Sequence, residues 1–294
     1  MPAQVSGKPH MAAKILDGKA IAERIKLALA KEMAGFPSKP TLGILYFGTP
    51  ASILYKNAQE AAARALGIAP RSKALDPHCT QEEVERAIGQ WNTDAGIHGV
   101  FVHQPMPPQI DPQRISAAID PRKDIEGIHP QNMARRFFAK ARIGSCTALA
   151  VMQLIEESGQ PLEGKEAVVV GHSEIVGRPV SMLLLDKLAT TTVCHVATKS
   201  LQAHVSRADI LVVAVGKPHL IKGEWIKPGA IVIDVGINVV GGKVVGDVEF
   251  EAAKERAAFI SPVPGGVGPV TVMMVMKNTV EAFKLQQRPS KEPG

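Results

Sequence analysis

The sequence predicts an α/β protein with two α/β lobes flanking a cleft, the second lobe built on a doubly wound sheet. Three observations carry this. Short apolar strand patterns alternate with amphipathic helical ones, as βα units on a mostly parallel sheet do. The alternation stops at a long helical stretch, residues 146–158, and then starts again. In the second run a strand, residues 167–171, passes through a glycine turn directly into a helix.

Taken in order, DGKAIAERIKLALAKEMAGF (17–36) places apolar residues at helical spacing and is stopped by Gly35 and Pro37. TLGILYFG (41–48) is a continuous apolar run and reads as a buried strand. ASILYKNAQEAAARALGI (51–68) is a helix ending near Gly67, and QEEVERAIGQWN (81–92) is another. IHGVFVHQP (97–105) is a strand that runs into a proline-rich loop. CTALAVMQLIEES (146–158) is the connector. Beyond it, AVVVG (167–171), TTTVCHV (190–196), DILVVAVG (209–216) and AIVIDVG (230–236) supply the second set of strands. VTVMMVMKNTVEAFKLQQ (270–287) is helical with no strand after it, so it is expected to pack back on the first domain. The end, 286–294, reads as frayed. The expected domains are therefore 1–147 plus 270–294, and 148–269.

Composition narrows the function. A chain of 294 residues, 45% hydrophobic and 21% charged, has the balance of a soluble globular protein. Its apolar runs fall well short of the ~20 residues of a membrane span, and no charged-then-apolar leader opens the chain. A cytoplasmic protein without membrane partners is expected. Cys79, Cys146 and Cys194 form no CxxC pair, so neither a disulfide framework nor a metal site is expected. The net charge of +6 is scattered and aromatic residues make up 4%, which argues against a nucleic-acid surface.

The junction Gly171-His172-Ser173, followed by Val176-Gly177-Arg178 at a helix start, offers backbone N–H groups to a phosphate. Read alone, it serves an ordinary turn equally well. Arg178 and Lys199 would suit anionic oxygens or plain solvent.

Longer motifs decide between these. GxSxIVGRP at Gly171–Pro179, KPGAIVIDVGIN at Lys227–Asn238, GDV at Gly246–Val248 and SPVPGGVGPVT at Ser261–Thr271 occur in this order. They are joined by Pro50, Ser52 and Tyr55, by Pro105-Met106-Pro107, by KDIEG at Lys123–Gly127 and by HPQN at His129–Asn132. Together they closely resemble the methylenetetrahydrofolate dehydrogenase/cyclohydrolase family over nearly the whole chain. The resemblance implies a folate-binding catalytic domain and a Rossmann-like NAD(P)-binding domain, usually in a homodimer. It implies hydride transfer from methylenetetrahydrofolate to a nicotinamide cofactor, then hydrolysis of the methenyl product to formyltetrahydrofolate.

By the same resemblance, Ser52, Tyr55, Asp124, Glu126, Pro264, Gly265 and Gly266 bind the tetrahydrofolate substrate, and Tyr55, Gln59, His103 and Glu126 stand at the chemistry. Gly171, His172, Ser173, Ile175, Val176, Gly177, Arg178, Val196, Gly236, Ile237 and Asn238 bind the cofactor. NADP comes first, with NAD a close alternative. The dehydrogenase step needs alignment more than an acid or base, whereas hydrolysis needs a base to take a proton from water.

Several positions depart from the family pattern. A lysine is expected four residues after the tyrosine, and Gln59 stands there; an amide is no base near neutrality. Lys56 lies about 100° from Tyr55 on the helix, about 60° beyond Gln59, and reads as a surface residue. His103 replaces the usual glutamine partner and reads either as a base, with an ordinary pKa of about 6.5, or as a hydrogen-bond partner of Gln59 or the backbone. Glu126 replaces an aspartate. On the cofactor side, His172 and Val196 stand where NADP-preferring members carry an arginine and a serine, which weakens the hold on a 2′-phosphate. A non-catalytic paralogue that binds folate or dinucleotide, and a dehydrogenase for another substrate, remain open at this stage.

Overall fold

The computed structural model describes residues 12–138 and 141–287, so the frayed reading of the last residues falls, from 288 onward, outside the described residues. Among the described residues the first elements are β1 (Lys14–Ile15) and α1 (Gly18–Met33), then β2 (Thr41–Tyr46), α2 (Pro50–Leu66), β3 (Ala69–Ala74), α3 (Gln81–Thr93) and β4 (Gly99–Val102). Two short helices, α4 (Pro112–Ala118) and α5 (Pro130–Phe137), precede α6 (Cys146–Glu156). The second run is β5 (Glu166–Val170), α7 (Gly177–Asp186), β6 (Thr190–Cys194), α8 (Leu201–Val205), β7 (Ile210–Val213) and β8 (Ile231–Asp234). It closes with the hairpin β9 (Asn238–Val240) and β10 (Lys243–Val245), α9 (Phe250–Lys254), β11 (Phe259–Ile260) and α10 (Val267–Gln287).

The chain forms two compact units, one comprising residues 22–149 and 271–287, the other 12–21 and 150–270. In the first, β2 is the central strand of a parallel sheet ordered β3-β2-β4. Its residues Leu42, Ile44 and Leu45 are wholly buried, and Leu45 joins Val84, Ile88, Ile97, Val100 and Ile115 in one cluster. Each such side chain contributes roughly 2 kcal/mol by leaving water. The edge strand β3, APRSKA, is mostly exposed and reads as no strand at all in the sequence, because its partner β2 supplies the order and its charges merely guard the edge.

α2 is punctuated at both ends. Thr49 caps it by accepting from the Ser52 N–H at 3.3 Å, Pro50 opens it, and Gly67 at φ +79° ends it. Tyr55 and Gln59 thereby sit one turn apart, as their spacing requires.

The second unit holds a six-stranded parallel sheet ordered β1-β11-β8-β7-β5-β6. Val168, Val170, Leu211, Val213, Val232 and Ile260 form its core. The two-residue strand β1 pairs with β11, so residues 12–21 belong to this unit and not to the first, where the sequence places them. Two residues carry no periodicity, and the pairing is therefore invisible in the chain. The hairpin β9–β10 is not among the elements read from the sequence, although Gly241-Gly242, both at positive φ, is the turn signal that announces it.

Candidate functional site

In the first unit the residues singled out by sequence converge beneath α2. His103, 2% exposed, follows β4 and lies between two α2 side chains. Its Nε2 is 2.8 Å from Gln59 Oε1 and its Nδ1 is 3.0 Å from Ser52 Oγ. A carbonyl oxygen accepts, so Nε2 carries the hydrogen and Nδ1 accepts from the Ser52 hydroxyl. Burial, reinforced by the Lys56 charge, pulls the His103 pKa down to about 4 and keeps the ring neutral. Both nitrogens are thus engaged, and the hydrogen-bonding reading of His103 agrees with this geometry where the general-base reading does not.

Tyr55 stacks obliquely on this ring, with centroids 5.2 Å apart, and meets Phe101 edge-on at 6.1 Å. Burial raises its phenol pKa, with Cys146 and Glu126 adding to the rise. Glu126 has a pKa pushed up to about 8, by burial first and then by Asp124, so near neutrality it holds a proton. Its Oε2 is sealed from solvent without a partner, as is Gln59 Nε2. Such groups are costly unless a ligand completes them.

Two sequence readings need correction here. Lys56 is no free surface residue: its side chain is 16% exposed, pairs with Glu60 at 3.5 Å and lies 5.7 Å over the Tyr46 ring. Asp124, expected at the substrate, is fully buried and already occupied, accepting from the N–H groups of Glu126 and His129 and from Asn132 Nδ2. It fixes the turn that presents Glu126. Gly127 at φ +65° completes that turn, since a Cβ there would fall 2.8 Å from Gly144 Cα. Cys146 escaped sequence reasoning; it hydrogen-bonds Ile125 O at 3.3 Å and adjoins Asn278 Nδ2 at 3.4 Å. Nothing in its local sequence marks it.

In the second unit, Gly171 at φ +122° follows β5, and Gly177 opens α7. A Cβ on Gly177 would lie 2.1 Å from Gly171 O, and one on Gly171 would lie 2.3 Å from Ala214 O. This tightness lets main chain approach a pyrophosphate at a helix N-terminus. Ser173 Oγ accepts from the N–H of Val176 at 3.2 Å and so shapes the same turn; exposed Ile175 lies within it. Arg178 is exposed and paired with Glu174 at 3.4 Å.

Beyond β6, Val196 is 92% exposed, and His195 meets His172 edge-to-face at 5.4 Å. Gly236, Ile237 and Asn238 follow β8, with Ile237 70% exposed. Pro264-Gly265-Gly266 leads into α10, where a Cβ on Gly266 would strike Pro262 O at 2.5 Å. The residues present fit a dinucleotide. They offer the glycine turn for its phosphates, while the Val196 side chain itself has neither a charge nor a hydroxyl for a 2′-phosphate. Among the described residues no His, Cys, Asp and Glu cluster suits a metal ion, and no helix is long and apolar enough to cross a membrane.

An open parallel sheet that carries a glycine-tight strand-to-helix turn where its strand order reverses defines a dinucleotide-binding α/β protein of the oxidoreductase kind. Comparison with known proteins narrows this. Residues 16–126 match the tetrahydrofolate dehydrogenase/cyclohydrolase catalytic domain and residues 145–287 the NAD(P)-binding domain of the same name. The chain is 46% identical over 278 residues to bifunctional protein FolD 2 of Geobacter sulfurreducens, covering 93% of this chain and 98% of that one. It superposes on the bifunctional FolD enzyme of Campylobacter jejuni with a TM-score of 0.90 at 38% identity, over 94% and 100% of the two chains. The Trypanosoma brucei FolD, solved with NADP and an inhibitor, gives a TM-score of 0.90 at 39% identity over 95% and 100%. The chain belongs to the tetrahydrofolate dehydrogenase/cyclohydrolase family.

Proposed function

We propose that this protein is an NAD(P)-dependent 5,10-methylenetetrahydrofolate dehydrogenase in which hydrolysis of the methenyl product is weak. The bond between Gln59 Oε1 and His103 Nε2 carries the reading, because it occupies the position of the expected base with a neutral, capped pair. Removing hydride from the carbon between two folate nitrogens leaves a resonance-stabilised cation, and a bound nicotinamide ring supplies the acceptor. Tyr55 and Glu126 then have to orient the pterin, which needs no proton transfer at Gln59. The unpartnered Gln59 Nε2 and Glu126 Oε2 offer polar contacts to that substrate. Water attack on the cation is different. It must shed a proton, and His103, held neutral with a pKa of about 4, takes it poorly.

On the cofactor side the same proposal assigns phosphate contacts to Gly171, Ser173, Val176, Gly177 and Arg178, with His172 and Val196 at the adenosine ribose. NADP comes first and NAD close behind. The same proposal assigns Pro264, Gly265 and Gly266 to the folate. The protein is further proposed to act in the cytoplasm as a homodimer, a state supported by the exposed Val239, Val240 and Val244 of the β9–β10 hairpin.

The test is direct. Purified protein with methylenetetrahydrofolate and NADP or NAD should accumulate methenyl product that decays slowly. Absence of any methenyl product with either cofactor rejects the dehydrogenase reading, and rapid conversion to the formyl compound rejects the weak-hydrolysis half.

A further inference from the structure

The dinucleotide reading leaves one buried group in the second unit without a task. Asp247 follows β10, is wholly buried, and yet reaches two other loops. Its Oδ2 accepts from the N–H of Val215 at 2.8 Å and of Gly216 at 2.9 Å, and its Oδ1 accepts from Asn238 Nδ2 at 2.9 Å. Its own N–H donates to Asp234 Oδ1 at 3.0 Å, which fixes it from behind. The carboxylate packs against the peptide of Gly236, where a Cβ would fall 2.2 Å from Asp247 Cγ.

The sheet order says which half of a dinucleotide these loops serve. Strand order reverses at β5, with β6 on one side and β7, then β8, on the other. A dinucleotide laid across that switch point puts its adenosine half by β5 and β6 and its nicotinamide half beyond the carboxyl ends of β7 and β8. Val215-Gly216 follows β7 and Asn238 follows β8. Asp247 therefore ties together, by its hydrogen bonds, the loops of the nicotinamide half. It also sets the sense of the Asn238 amide. Nδ2 is turned to Asp247 and, at 3.5 Å, to Val245 O, which leaves Oδ1 as the atom to offer a ligand. An outward oxygen suits the N–H groups of a nicotinamide carboxamide; a flipped amide would present donors to them instead.

We infer that Asp247 is a positioning residue for the nicotinamide half of the cofactor, acting through the Asn238 amide and the 215–216 peptide without touching the ligand. The inference rests on the dinucleotide reading. Its test is binding, so it does not depend on turnover: the affinities of NADP and of 2′-phospho-ADP-ribose, which lacks the nicotinamide, are measured for wild type, Asp247→Asn, Asn238→Ala and the double variant. Asp247→Asn should weaken NADP about tenfold, the worth of one good hydrogen bond, and leave 2′-phospho-ADP-ribose within about twofold. Asn238→Ala should do the same, and the double variant should be no weaker than Asp247→Asn alone, because the Asn238 amide is one of the routes through which Asp247 acts. Wild-type NADP affinity in Asp247→Asn overturns the inference. So do multiplying losses in the double variant, or equal weakening of both ligands, which would mark a general loosening of the unit. If Asp247→Asn does not fold, Asn238→Ala still decides: unchanged NADP affinity overturns the inference. A wild type that binds neither of these ligands nor NAD rejects the dinucleotide reading itself, whereas a binding wild type with indifferent variants rejects this inference alone.

Discussion

His103 Nε2 stands 2.8 Å from Gln59 Oε1, and that contact spends the amide oxygen of Gln59 while leaving its Nε2 buried and unpartnered. A lysine at this position would carry a proton acceptor whenever its ammonium was deprotonated. The amide has none, and the neighbouring imidazole is held as its donor.

The two activities should therefore come apart. Gln59→Lys, combined with His103→Gln to remove the competing ring, should raise hydrolysis of methenyltetrahydrofolate by about tenfold or more, with a much smaller change in hydride transfer. Stopped-flow traces of methenyl formation and decay check this. Fast wild-type hydrolysis that vanishes in His103→Ala and survives in Lys56→Ala would instead make His103 the base.

Cofactor preference should be shallow. His172→Arg with Val196→Ser adds a permanent charge and a hydroxyl, the arginine replacing the ring that meets His195 edge-to-face. It should raise the kcat/KM ratio of NADP over NAD by about tenfold. A wild type that already favours NADP by about a thousandfold, a difference of roughly 4 kcal/mol, would place the phosphate contacts elsewhere.

Glu126 ties stability to pH. Its folded pKa of about 8 lies above the ordinary 4.5, so the fold keeps a proton that the unfolded chain releases. Stability from this group is complete below about pH 4.5 and is lost as pH rises toward 8, by on the order of a few kcal/mol. Asp234, raised to about 6, acts in the same direction at lower pH. His103, lowered from 6.5 to about 4, acts oppositely between those values. Between pH 6.5 and 8 the decline is thus expected from Glu126, and Glu126→Gln should flatten the melting temperature across that window. An unchanged slope in the variant contradicts the assignment.

Gly177→Ala should be severe for so small a change. The new methyl would lie 2.1 Å from Gly171 O, a main-chain atom that cannot rotate away. A loss of about 1–3 kcal/mol and a weakened dinucleotide affinity are expected, read by denaturant unfolding and calorimetry. Wild-type stability and affinity together would show that the turn opens freely.

Much of the fold was legible in the chain. β2, β4, β5, β7 and β8 are apolar runs bounded by turns, and α2 and α3 carry caps as well as periodicity. β3 was not legible, because APRSKA has no apolar alternation and is ordered by the strand beside it. β1 and β11, two residues each, exist by pairing alone. The candidate site divides in the same way. Motifs pointed to Tyr55, Gln59, His103, Glu126 and the glycine turn, yet Cys146 has no local signature, and the hydrogen bond between Asn238 and Asp247, each in a motif of its own, is set by the fold.

The sequence by itself determined the alternation of strands and helices, the family, and the identities at 59, 103, 126, 172 and 196. What those side chains can do was decided by tertiary structure. An imidazole is a base near neutrality in water, but His103 is desolvated and bonded to residues 44 and 51 positions away in the chain. Lys56 reads as solvent-facing on a helical wheel, but the Tyr46 ring and Glu60 enclose it. Protonation and hydrogen bonding depend on which groups lie within a few ångströms and on how much water remains, and folding sets both by bringing together segments that the linear order keeps apart.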